Sequence, residues 1–271
     1  PYKAPVKDIV FGYEVIDSYN VLNKISAFSD FSEDIVIPTM EECAKFSEEV
    51  LAPINAIGDR QGATIKDGVV TMPEEFVDAY KKFAEAGWAS ISLPSDIGGG
   101  GMPITLSGGT LEILSTANLA FGLAPGLSAG AISAINFHGN QEQKDKFLPK
   151  LVSGEWTGTM NLSEPQSGSD LGTITTKAEP QEDGSYKITG TKVWITFGEH
   201  NMTENIIHLV LAKVPGSPEG TKGISMFIVP KYIVNDDGSI GDSNNVSCIS
   251  IEEKLGIHAS PTCVMEYDGS V

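Results

Sequence analysis

The chain has 271 residues, enough for one large domain or two modest ones. Eighteen Lys and Arg against 36 Asp and Glu leave a formal charge of −18, which opposes binding to a nucleic-acid backbone. With 41% hydrophobic residues the composition is that of a folded globule; no run approaches the roughly 20 apolar residues of a membrane span, and the opening PYKAPVKDIV has no signal-peptide core.

Cys43, Cys248 and Cys263 are odd in number, far apart in sequence and form no CxxC pair. That pattern fits three buried or partly buried thiols in a reducing, cytoplasmic setting. His138, His200, His208 and His258 supply no HxxxH or HExxH spacing, so no metal site is expected.

In chain order, the first 155 residues read as helical. Thr39-Met40-Glu41-Glu42 has capping-box form, and Met40, Cys43, Phe46 and Val50 follow at helical spacing, with Pro53 and Gly58 as stops. Thr71 to Glu75 signals a second start; Phe76, Tyr80 and Phe83 then form an apolar stripe that Gly87 ends. Gly98 to Gly101 lacks both P-loop and GxGxxG spacing and reads as a flexible turn. Residues 104–120 and 124–137 read as buried helices, and Asn140 caps an amphipathic one through Phe147, Leu148 and Leu151.

From Trp156 the period changes to that of strands. Segments 156–163, 173–179, 185–189, 191–197, 205–214, 223–230, 246–252 and 262–268 are short and rich in β-branched and aromatic residues. Asp183-Gly184 marks a hairpin, 205–214 fits a strand with one strongly apolar face, and 235–245 an exposed loop or hairpin end. The expected class is α+β: an all-helical domain over 1–155, then an antiparallel β-barrel or sandwich-like domain over 156–271.

Two stretches could carry chemistry. Met160 to Asp170 ends a strand in a loop with one glycine, three serines and two carboxylates, which suits a polar ligand and equally a surface turn. In Gly190 to Thr196, Trp194 and Thr196 share one face of a strand, so they can wall a flat heteroaromatic ring or be a core Trp beside a surface Thr.

Together, SEPQSGSD at 163–170 and GTKVWIT at 190–196 resemble the TEPxAGSD and NGxKxWITN signatures of the acyl-CoA dehydrogenase family. EKLGIHASPTC at 253–263 resembles its KxGxxxS signature, and LPSDIGGGGMP and HGNQEQKDKFLPKLVSGEWTGTMNLSEP match as well. The opening residues and LGIHASPTC resemble a longer bacterial branch, which includes a dehydrogenase of sulfur metabolism.

The resemblance implies FAD-dependent α,β-dehydrogenation of an acyl-CoA thioester, electron transfer to an electron-transfer flavoprotein, and a parent homodimer or homotetramer. It implies that the backbone of Met160 and Leu162 and the hydroxyl of Ser163 meet the isoalloxazine edge. Gly168 and Ser169 would lie near the pyrophosphate or the pantetheine entrance, with Ser169 also touching substrate. Trp194 and Ile195 would flank the flavin, and Thr196 would offer its hydroxyl toward N5. The family's catalytic base is expected beyond Val271, in a C-terminal helical bundle, so the chain reads as an inactive fragment. Glu164 is expected to fix its loop, Glu199 and His200 to form a solvated turn, and His258 to approach ligand or make a structural hydrogen bond. Ser163 and Phe197 depart from the family's common Thr and Asn. An acyl-CoA oxidase, a flavin monooxygenase and a non-catalytic FAD- or acyl-CoA-binding module are the alternatives.

Overall fold

In the computed structural model, which describes residues 1–271, short helices α1 (Val6–Val15) and α2 (Ser18–Leu22) lead into α3 (Glu33–Phe46). The α3 start lies earlier than the capping-box pattern suggests: extended Ser32 precedes it, and Glu33 and Asp34 place negative charge at its positive end. Thr39 is interior, its hydroxyl donating to the Ile35 carbonyl at 2.7 Å. Pro53 and Gly58 do not end the run. A π-helical turn over Ser47–Leu51 widens the register ahead of Pro53, which has no N–H to give, and α4 (Ala52–Gln61) continues to Gly62 at φ 68°.

After a small hairpin of β1 (Thr64–Lys66) and β2 (Val69–Thr71), α5 (Glu74–Glu85) buries Phe76, Tyr80 and Phe83 as its stripe implies, and Gly87 follows at φ 76°. The glycine run is a knot rather than a flexible turn. A Cβ at Gly99 would lie 2.2 Å from the Leu93 carbonyl oxygen, and the N–H of Gly100 donates to Ser90 O at 2.8 Å.

Next come α6 (Ile104–Ala117), α7 (Leu119–His138) and α8 (Gln141–Ser153), the last closed by the full Asn140/Gln143 capping box. At 20 residues, α7 is long and apolar enough to cross a membrane by length and composition, contrary to the expectation of no such run. Here it packs against α6, α8 and the first strand of the β half.

That strand, β3 (Trp156–Asn161), is followed by β4 (Lys177–Pro180), β5 (Tyr186–Thr196), β6 (Asn205–Lys213), β7 (Ile224–Pro230), β8 (Tyr232–Val234), β9 (Ile240–Ser243), β10 (Val246–Ile251) and β11 (Thr262–Ser270). The main sheet runs β10-β11-β5-β4-β6-β3, with β7 on the other flank of β6. The α+β class holds. The strictly antiparallel expectation does not, because β3 runs parallel to β6 from Trp156↔Asn205 to Asn161↔Val210 and β4 meets β6 in parallel at Lys177↔Lys213. The segments 185–189 and 191–197 are one strand, and 235–245 turns back as the β8–β9 hairpin.

The strand expected over 205–214 with one strongly apolar face is buried on both, so His208 is enclosed beside Val210 and Ala212. Glu199 and His200 are likewise buried, not solvated. Cys43, Cys248 and Cys263 are buried free thiols, and the latter two sit on paired strands.

The halves meet at Gly158. A Cβ there would come 2.4 Å from Ala131 Cβ of α7, and the Gly158 N–H donates to the Ser128 hydroxyl at 3.1 Å. Only glycine lets helix and strand approach this closely.

Candidate functional site

The loop after β3 and the Trp194 edge of β5 converge. The Val193 N–H donates to the Ser163 carbonyl at 2.9 Å, and the Lys192 ammonium donates to the Leu162 carbonyl at 3.0 Å and to Glu164 Oε1 at 2.9 Å.

Glu164 is the anchor of this junction. It accepts from the Thr175 N–H at 2.7 Å, the Thr176 N–H at 3.0 Å, both threonine hydroxyls, the Gln166 amide and Lys192. Burial pushes its carboxyl up, but the Thr175 N–H, the Thr176 hydroxyl and the Lys192 ammonium outweigh that and pull it down to about 2. Burial lowers the Lys192 ammonium, and the adjoining carboxylate opposes this. Glu164 therefore fixes the loop, as expected, and has no basicity left for a substrate proton.

Trp194 is the extra residue of a β-bulge. Cys263 pairs with Ile195 and Met265 with Lys192, so three steps on β5 face two on β11. The bulge puts Trp194 at φ 60° and leaves it 58% exposed. A bulky residue in the left-handed region costs about 1–3 kcal/mol and persists where the surroundings force it. Thr196 lies on the same non-core side and is half-buried. The Ile195 side chain instead packs in the β core with Val210 and Met265, so only its backbone is available to a ligand. Met160, Leu162 and Ser163 are half-buried, whereas Gly168 and Ser169 stand exposed at the far end of the loop, beyond the Ser167 hydroxyl bond to Asp170 O at 2.7 Å.

The arrangement is an open shelf, not an enclosed pocket. Cavities of about 600 Å³ beside α3 and about 630 Å³ beside α5 lie elsewhere. On the shelf, neither the Leu162 nor the Ser163 N–H donates to any group of the chain. Two free backbone donors, a serine hydroxyl, a threonine hydroxyl and an exposed indole are a donor set that fits a flat ring with a polar edge.

His258 takes the structural role: its Nδ1 lies 2.8 Å from the Asp59 carbonyl and 2.9 Å from its carboxylate, tying the β10–β11 loop to α4.

Two family models match the sequence: acyl-CoA dehydrogenase, N-terminal domain, over residues 38–155, and acyl-CoA dehydrogenase, middle domain, over residues 159–270. The chain belongs to the acyl-CoA dehydrogenase family. It is 45% identical over 269 residues to a 3-methylmercaptopropionyl-CoA dehydrogenase of Ruegeria pomeroyi, covering 99% of this chain and 46% of that protein. It is 38% identical over 271 residues to a butyryl-CoA dehydrogenase of Syntrophomonas wolfei, covering 98% of this chain and 44% of that one. The chain thus spans about half the length of these curated relatives. Among solved structures, an acyl-CoA dehydrogenase complexed with FAD from Bacillus anthracis superposes with a TM-score of 0.70 at 26% identity, covering 89% of this chain and 36% of that one.

Phe197 explains one departure from the acyl-CoA dehydrogenase signature. It sits at φ 53°, a conformation Asn tolerates and Phe does not favour. Its ring compensates by burying in the helical core, with its edge toward His200 at 5.8 Å between centroids.

Sequence reasoning missed the buried polar chain behind the shelf. Asn161 donates to Thr159 at 2.8 Å, Thr159 meets His208 Nδ1 at 2.7 Å, and the Tyr267 hydroxyl donates to Asn161 Oδ1 at 2.9 Å. The alternating threonines and asparagine of β3 were the available signal.

Proposed function

We propose that this chain forms the flavin-facing part of an FAD-dependent acyl-CoA dehydrogenase that introduces an α,β double bond into an acyl-CoA thioester. The observation that carries the reading is the junction of the Ser163 loop with the Trp194 bulge, tied by the Val193–Ser163 bond at 2.9 Å. Relatives named as dehydrogenases of 3-methylmercaptopropionyl-CoA and butyryl-CoA, and the FAD-complexed structural neighbour, support it.

FAD, when bound, supplies the acceptor for the hydride leaving Cβ. The chain's part is to bind and orient. The free N–H groups of Leu162 and Ser163 and the Ser163 hydroxyl hold the polar edge of the ring system. The exposed Trp194 indole would wall one face of the ring, and the half-buried Thr196 would offer its hydroxyl as a further donor to it. Gly168 and Ser169, exposed at the end of the loop, take the pyrophosphate or the pantetheine arm of the substrate. Glu164 is fully committed and is not the base; following the family resemblance, the base that removes the α-proton is proposed to lie outside residues 1–271. The partner that would accept the electrons is an electron-transfer flavoprotein.

The test is anaerobic addition of butyryl-CoA or methylthiopropanoyl-CoA to the flavin-loaded protein containing this chain. Loss of visible flavin absorbance without oxygen is expected. No bleaching by either thioester overturns the reading, and rapid peroxide formation in air assigns an oxidase instead.

A further inference from the structure

The shelf offers donors only because something behind it turns the backbone outward. No peptide bond in the chain is cis, so each carbonyl and the following N–H point in opposite directions. The Leu162 carbonyl is held inward by the Lys192 ammonium at 3.0 Å, and the Ser163 carbonyl by the Val193 N–H at 2.9 Å. The Ser163 N–H, on the same peptide as the Leu162 carbonyl, must therefore face away from Lys192, and it has no partner in the chain.

Lys192 is fully buried, an expensive place for a charge unless it is paired and hydrogen-bonded. Glu164, 2% exposed, supplies the pairing and is itself locked by Thr175 and Thr176. A strand with an apolar residue at position 192 would pack without this cost, so stability alone does not account for the ion pair. One step from Lys192 along β5 the bulge begins that throws Trp194 outward.

We propose that Lys192, seated by Glu164, is a positioning residue for the flavin: its ammonium aims and polarises the Leu162–Ser163 peptide so that the Ser163 N–H donates to the negative edge of the isoalloxazine. The inference rests on the proposed function, because it needs a flavin at this shelf. A charged donor on a carbonyl strengthens the N–H at the other end of the same peptide. Negative charge accumulates on the ring when it is reduced, so a stronger donor there favours reduction.

Lys192→Met in the flavin-loaded protein tests this, read by FAD affinity, the visible flavin spectrum and the midpoint potential, beside the melting temperature of the FAD-free protein. The expected result is FAD binding weakened about tenfold or more, the worth of one charge-assisted hydrogen bond, with the potential shifted downward. Lys192→Arg, which keeps the charge, should recover most of the potential. Because a lone Glu164 in the core destabilises folding, the double variant Glu164→Gln with Lys192→Met removes both charges while leaving an amide oxygen to accept from the Thr175 and Thr176 donors; it should fold yet keep the lowered potential. Wild-type affinity, spectrum and potential in a folded double variant overturn the proposal and leave the flavin reading intact. Failure of the wild-type protein to bind FAD removes the reading itself.

Discussion

Both halves of the molecule have apolar cores, but the β half buries far more polar and charged side chains beside its own. The helical core is apolar, built on Phe76, Tyr80, Phe83 and Phe121 with ring centroids about 5.6–6.4 Å apart. The β half encloses Thr157, Thr159, Asn161, Glu164, Lys192, Glu199, His200 and His208. Burying polar groups costs free energy unless each finds a partner, so the β half relies on hydrogen-bond geometry where the helical half relies on shape. The side with the demanding geometry is the side that presents the shelf.

The largest test of this contrast is pH. Burial, reinforced by the Lys231 charge, holds His200 and His208 down to about 3. The folded state thus refuses protons that the unfolded chain takes up near 6.5, and stability is complete above that pH and lost below it. Each unit of fall toward 3 costs about 1.4 kcal/mol per histidine. Glu164, lowered to about 2, has the same sign and adds its loss between about 4.5 and 2. Alkali does not divide the halves: burial raises Cys43 and Tyr13 to about 12 each in the helical half, while burial pushes Tyr267 up and the Cys248 thiol together with burial pushes Cys263 up on β11, so both halves lose stability as pH rises above the ordinary values of these groups. Peptide-resolved hydrogen exchange should show β6 and the end of β3 opening before α1 and α3 in acid. Simultaneous opening of the helices and these strands in acid would erase the distinction.

The joint between the halves gives a smaller effect. Gly158→Ala drives a methyl toward Ala131 Cβ, where an added Cβ would sit 2.4 Å away. Overpacking of this kind costs about 1–3 kcal/mol. Ala131→Gly should recover part of that in the double variant, measured by chemical denaturation. Two independent losses that simply add would mean the helix and strand are not in close contact there.

This division also decided what was legible. The α5 stripe and the Asn140 cap are local patterns, readable because apolar spacing and capping require only near neighbours. Thr39 misled because its four-residue pattern mimics a cap, while the actual start at Ser32 is set by the chain before it. The parallel β3–β6 pair and the burial of His208 depend on which distant strand lies alongside, which no local period reports. At the shelf, the loop and the tryptophan strand were recognisable through family resemblance. Their left-handed bulge arises from a register mismatch with β11 and leaves no local trace. Lys192 was hidden because a lysine on a strand reads as surface until Glu164 is seen beside it.

Asn140→Ala is the smallest expected change and isolates the purely local kind of stability. Asn140 Oδ1 accepts the Gln143 N–H at 2.8 Å while the Gln143 side chain accepts the Asn140 N–H at 2.9 Å, so two otherwise orphaned donors are satisfied at an exposed helix start. Removing the cap should cost about 1 kcal/mol, seen as a lower denaturation midpoint with an unchanged slope. Gln143→Ala removes only the return bond and should cost less. Both bonds lie at the surface and none reaches β3, so the exchange of Thr159 and Asn161 should keep its acid profile in either variant. If Asn140→Ala moved that profile, the α8 start would be coupled to the polar interior, and the two halves would not be stabilised by separable means.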